Sequence, residues 1–146
     1  MHYIMVVYHL AVSLWVGGAA LFTFILTPVL FKSESRDTAG RIVGLFFPGY
    51  FRWGMGCGLV ALACLAISGG LGVSAATFIL AVMIACTSFQ ALYVEPHAAR
   101  LKREIGSFET TSKDHPLRKE FSWLHGVSAV CNLLVIAGGI ALVILF

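Results

Sequence analysis

The sequence predicts an all-α integral membrane protein, a four-helix bundle with a short amphipathic interfacial helix between spans one and two. Three observations carry this. Of the 146 residues, 59% are hydrophobic and only 12% charged, against roughly 25% charged in soluble globular chains. The apolar residues fall into four runs, each long enough as a helix to cross about 30 Å of hydrocarbon. The ten lysines and arginines lie at the ends of these runs or in the connections after the first and the third.

Tyr3 to about Phe31 is one apolar run, about 44 Å long as a helix, and makes span one (3–31). His9, Ser13, Gly17 and Ala20 recur along it at three- and four-residue spacing. Gly17-Gly18-Ala19-Ala20 permits close approach of another helix. Thr27-Pro28 is expected to bend or loosen the far end, because proline removes a backbone donor and crowds the preceding turn.

After the polar start at Lys32, the residues Ala39, Ile42, Val43, Phe46 and Phe47 recur at helical spacing opposite Arg36, Asp37 and Arg41. This pattern predicts the amphipathic helix at the membrane surface. Pro48-Gly49 is expected to break it. Span two (50–70) then opens with Tyr50, Phe51, Arg52 and Trp53 at headgroup depth. Gly69, Gly70 and Gly72 predict a tight, uncharged turn into span three (73–94), which Glu95-Pro96 ends. A polar segment from His97 to Asp114 follows and can stay helical for a few turns. Asp114 is placed to cap span four (116–146), with Pro116 in its first turn. The whole chain, 1–146, reads as one domain.

Every lysine and arginine falls on the side of the two long connections. The positive-inside rule therefore makes those connections cytoplasmic and both termini periplasmic, if the membrane is a bacterial inner membrane. Basic residues placed by topology do not point to nucleic acid, and no cleavable signal pattern precedes span one, so the mature chain is expected to start at Met1.

Several features together carry a family resemblance: His9 followed by Trp15; Leu45-Phe46 with Pro48, Tyr50 and Phe51; Met55-Gly56-Cys57; Glu95-Pro96; and Arg118, Phe121, His125-Gly126, Ser128 and Cys131-Asn132-Leu133. With these the chain resembles the transmembrane protein 205 family, whose bacterial members carry a domain of unknown function. The resemblance covers nearly the whole chain. It implies a four-helix membrane bundle and, for the animal members, an association with resistance to platinum drugs; it implies no settled activity and no catalytic set. The connection from Glu95 to Arg118 is shorter than in the animal proteins. In gross plan the family is also similar to four-span proteins linked to copper handling or haem biosynthesis.

The candidate site is read mainly from the start of span four. His125, Ser128 and Asn132 share one helix face, and a hydrogen-bonding group turned to hydrocarbon stays unsatisfied at a cost of several kcal/mol. That face is expected to look inward, with the His125 ring buried and bonded to Glu95, Gln90 or Tyr50. Glu95, Arg118 and His125, with Tyr50 and Arg52 opening span two, form the candidate ligand-binding or proton-linked constellation. The plainer reading of its charges is an ion pair from Glu95 to Arg118 or Arg52 that pins helix ends.

His9 and His125 are candidate ligands for haem b, although helical rise separates them by about 22 Å in depth, too far to share one iron. Cys57 and Cys131, with Cys64, Cys86, Met5, Met55 and Met83, are the residue types a soft metal ion prefers. They lack a closely spaced motif, and the plainer reading is core packing. No nucleophile motif, phosphate-binding loop or intramembrane carboxylate pair is present in the sequence, so hydrolase and phosphoryl-transfer chemistry is not expected. The function expected is binding or transport of a small solute or metal-related cargo through a polar site between helices. The protein is expected to act as a homo-oligomer or within a larger membrane complex. The alternative is a haem- or quinone-associated membrane protein, or an accessory subunit of a membrane redox complex.

Overall fold

A computed structural model of the chain describes residues 2–69 and 74–145. The glycine turn expected at Gly70 and Gly72 lies outside the described residues. Among those described, every regular element is a helix: α1 (His2–Leu21), a π-helical turn (Phe22–Leu26), α2 (Thr27–Ser33), α3 (Arg36–Ile67), α4 (Ala75–Phe89), a second π-helical turn (Gln90–Val94), α5 (Glu95–Ile105) and α6 (Pro116–Leu145). They join into four continuous stretches, His2–Ser33, Arg36–Ile67, Ala75–Ile105 and Pro116–Leu145, each long and apolar enough to cross a membrane. We call these spans one to four.

Two prolines expected to end helices do not. Pro48 lies inside α3, so the amphipathic segment is the first part of span two's own helix rather than a separate element. Glu95-Pro96 starts α5 directly after the π turn that follows α4, and span three runs on without a break to Ile105. Where water is scarce, breaking a helix leaves more backbone groups unsatisfied than losing one donor does, so the helix continues. At Pro28 and Pro96 the missing donor is absorbed one turn earlier. Thr27 donates its N–H to the Phe22 carbonyl, and Glu95 donates to Gln90. Each of these bonds closes a widened π turn.

The spans pack in a ring, α1 against α3 and α6, and α4 against α3 and α6. Its centre is filled by Tyr8, Val12, Trp15, Leu80, Met83, Val135 and Leu142. Spans one and two approach closely because aromatic and glycine residues match. A Cβ at Gly54 would lie 2.7 Å from Trp15 Nε1, and one at Gly58 2.9 Å from Trp15 Cζ3. Trp53 answers from the other side, donating to the Leu14 carbonyl at 3.3 Å beside Gly18. Gly18 and Ala19 of the small-residue patch thus face the bundle, whereas Gly17 borders open space.

Between spans one and four, a Cβ at Gly139 would overlap Val16. Gly139→Leu is therefore expected to force these helices apart, costing about 3 kcal/mol or more. The measurement is recovery of a monodisperse peak after purification in mild detergent, which should fall sharply. An opposite sign is expected at Tyr8, whose hydroxyl is buried with no partner among the described residues. Tyr8→Phe removes a desolvated polar atom and should raise thermal stability by about 1 kcal/mol.

At the loop end the ring opens. There α2 packs on α3, α5 packs on α6, and α2 makes no substantial contact with α6. A second apolar cluster of Val94, Leu101, Ile105 and Leu124, backed by Phe108 and Phe121, holds α5 to α6. The connection 106–115 is tied down from both sides. The Asp37 carboxylate accepts from Ser107 Oγ at 2.5 Å and from the Phe108 N–H at 2.7 Å. Arg118 Nη1 donates to the carbonyls of Phe108 at 2.8 Å and Thr111 at 2.5 Å.

Candidate functional site

A layer of side-chain hydrogen bonds forms the floor of the site and joins span four to each of the other spans. Asn132 donates through Nδ2 to Thr23 Oγ1 of span one at 3.3 Å and accepts at Oδ1 from the Tyr50 hydroxyl of span two at 3.1 Å. Ser128 donates to Gln90 Oε1 of span three at 2.7 Å. Thr23 and Gln90 both sit in the π turns. The proline-induced widening thus falls at the level where spans one and three present polar groups to span four.

Above this floor the splayed helices enclose a cavity of two adjoining lobes. The first, about 660 Å³, lies between the start of α3, residues 94–106 and residues 121–128. The second, about 550 Å³, lies between residues 22–31, α3 and residues 118–132. Both volumes are in the range of small-molecule sites, roughly 300–1,000 Å³. Lys102, Phe47, Phe108, Phe121, His125 and Ser128 border both lobes.

Lys102 reaches from α5 toward α3 between them. Its ammonium donates to the Gly40 carbonyl at 2.9 Å and lies 5.7 Å from the centre of the Phe121 ring. Gly40 and Gly44 leave room for it, since a Cβ at Gly44 would meet Lys102 Nζ at 3.6 Å.

The lobes differ in charge. The first has Arg36, Arg41, Lys102 and Arg103 but also Asp37 and Glu95. Asp37 is engaged by the 106–115 connection, and Glu95 lies near enough to Lys102 to interact with it electrostatically. The second lobe is bordered by Arg36, Lys102 and Arg118 and by no carboxylate. Thr23, Thr27, Ser122, His125, Ser128 and Asn132 add polar atoms to it.

Several expected placements are corrected. His125 is not buried, and its ring makes no hydrogen bond among the described residues; it faces the cavity. The partners expected for it are taken one or two turns deeper, Gln90 by Ser128 and Tyr50 by Asn132. Arg118 is buried but turned to the loop carbonyls. Arg52 is exposed and donates to the Pro48 carbonyl of its own helix. Neither pairs with Glu95: the ion pairs among the described residues are His97 with Glu120, Arg100 with Glu104 and Lys119 with Asp114. The constellation of Glu95, Arg118, His125, Tyr50 and Arg52 therefore divides into a floor, a tie to the 106–115 connection and a cavity wall, with Arg52 outside all three.

His9 lies toward the termini, its Nδ1 2.7 Å from the Met5 carbonyl and its ring edge-on to Tyr8. The Thr23–Asn132 bond sets those two residues level, which places His9 and His125 roughly 31 Å apart along the bundle by helical rise. That exceeds the separation expected from the sequence, because Asn132 is level with Thr23 rather than with Gly17, and Gly139 is level with Val16. Cys57 is in the core, and the Cys131 thiol neighbours that of Cys86. Among the described residues no three His, Cys, Asp or Glu side chains form a metal-ligand cluster.

Lys102, Thr23 and Phe108 were not singled out by sequence. A usable signal existed for Lys102: Leu101 and Ile105 are four apart and both buried, which sets Lys102 at the edge of a helix face turned to the bundle. For Thr23, the i,i+4 pair Thr23/Thr27 before Pro28 was the available signal. Phe108 had none, since its position follows from backbone ties.

No curated protein and no solved structure matches the chain. A family model described as a domain of unknown function, DUF4149, matches residues 10–107. The matched stretch includes Thr23, Tyr50, Gln90 and Lys102, all of which border or build the floor and wall of the cavity. By that match, the chain belongs to the DUF4149 family, here as a four-span helical membrane protein.

Proposed function

We propose that the protein binds a small organic anion in the cavity at the loop end of the bundle, holding or passing it between helices. The observation that supports this is the second lobe, where Arg36, Lys102 and Arg118 meet aromatic walls with no carboxylate among the bordering residues. Cations bordering a cavity with low-dielectric walls attract an anion more strongly than they would in water, and no carboxylate lines this lobe to compete with it. Lys102 uses one of its three protons on Gly40, leaving donors for a ligand. The same charges repel a metal cation, so an anionic solute fits better than a metal-related cargo. The reading keeps the transmembrane protein 205-like plan, with the long connections cytoplasmic and both termini periplasmic in a bacterial inner membrane.

The test is thermal stability of the purified protein with 2-naphthoate and with the neutral 2-naphthamide. A bound ligand at 100 times its Kd stabilises by about 2.7 kcal/mol. The carboxylate is expected to stabilise and the amide not, and Lys102→Gln should weaken the response about tenfold or more. No stabilisation by carboxylate, sulfonate or phosphate anions would overturn the proposal.

A further inference from the structure

Resting on the anion reading, we infer that the site takes its ligand from the bilayer: an anionic amphiphile, with a carboxylate or phosphate head at Lys102 and Arg36 and an apolar chain leaving between spans one and four. The gap between those spans carries the argument. They are closed tightly at Val16 and Gly139 and tied at Thr23 and Asn132. Beyond that level α2 packs on α3 and α6 packs on α5, and α2 and α6 make no substantial contact with each other.

The second lobe lies in this gap, so its sides are Phe31 and Pro28 on one helix and Ser122, His125 and Ala129 on the other. Pro28, Ser122 and His125 are exposed, and Phe31 is 44% exposed. These positions lie near the loop ends of helices long and apolar enough to cross a membrane, so an opening between the two helices at this level is lateral and faces the outer part of the bilayer. A fully water-soluble anion has no use for a lateral apolar slot, whereas an amphiphile matches both ends of it. Its chain meets Pro28, Phe31 and Ala129, and its head reaches the ammonium that divides the lobes.

The experiment uses the full chain in phosphatidylcholine nanodiscs with palmitic acid carrying a chain diazirine and a terminal alkyne, and with the methyl ester of the same probe. After irradiation, crosslinks are mapped to peptides. The acid is expected to label peptides within residues 22–31 and 122–132 about tenfold more than the ester does, because only the acid gains a charge-assisted hydrogen bond. Lys102→Gln should remove that preference. Ala129→Phe, which leaves every charge in place, should block labelling at the slot and guards against a folding effect of the lysine variant.

Competition names the source. Displacement by phosphatidylglycerol in the disc identifies a phospholipid headgroup, and displacement by dodecyl phosphate alone identifies a free amphiphile; either supports the inference. Equal labelling by acid and ester along the whole lipid-facing surface overturns it. Lys102-dependent binding of 2-naphthoate with no acid-specific crosslinks overturns the amphiphile and leaves the anion reading standing. Absence of both overturns the two together.

Discussion

Asn132→Ala is expected to lower the stability of the bundle by about 2–3 kcal/mol, because the Tyr50 hydroxyl and Thr23 are both left without their partner in a low-dielectric interior. The effect should be read from reversible unfolding in mixed micelles. Tyr50→Phe alone should cost about 1 kcal/mol, and the double variant should show a coupling of about 0.5–1.7 kcal/mol. Asn132 ties span four to spans one and two, and the cavity stands on that bridge. If the single losses simply add, Asn132 and Tyr50 do not act as one unit and the floor of the site is misassigned.

Arg118→Ala should be at least as severe, about 3 kcal/mol, because a buried guanidinium gives up two charge-assisted bonds and strands the carbonyls of Phe108 and Thr111. It should also have a local signature. With Arg118 gone the connection 106–115 keeps the Asp37 contacts and the packing of Phe108 on Phe121 but loses the guanidinium bonds from span four, so limited proteolysis should cut there first and much faster than in the parent protein. Phe108 borders both lobes, and its release should cost anion affinity as well. Cutting at an unchanged rate would mean that Arg118 does not secure the connection.

What could be read from the sequence, and what could not, divides along physical lines. Four spans were legible because hydrocarbon thickness demands runs of that length. The inward polar face was legible at Ser128 and Asn132 because lipid tolerates no unsatisfied amide or hydroxyl. Tyr50 and Gln90 were rightly chosen as partners for span four but assigned to His125, since depth counted along separate helices cannot say which of several residues on a face reaches a given partner.

The helix through Pro48 and the continuation past Glu95-Pro96 were not legible. Proline punctuates helices in water, where freed carbonyls are hydrated, and it does so less inside a membrane bundle. Lys102 escaped notice for another reason. Its partner is a backbone carbonyl, that of Gly40, 62 residues away in the chain, and a backbone acceptor leaves no mark in the side-chain pattern. Arg118 stood out in the sequence, but its partners, two carbonyls of a loop, were illegible for the same reason.

The most direct measurement of the central claim is anomalous diffraction from crystals grown with 4-iodobenzoate, whose iodine marks where an organic anion rests. An iodine peak is expected inside the second lobe, with the carboxylate within hydrogen-bonding distance of Lys102 Nζ, and it should be lost in Lys102→Gln crystals. Iodine found only on the lipid-facing surface of the helices, with the lobe between spans one, two and four unoccupied, would contradict it.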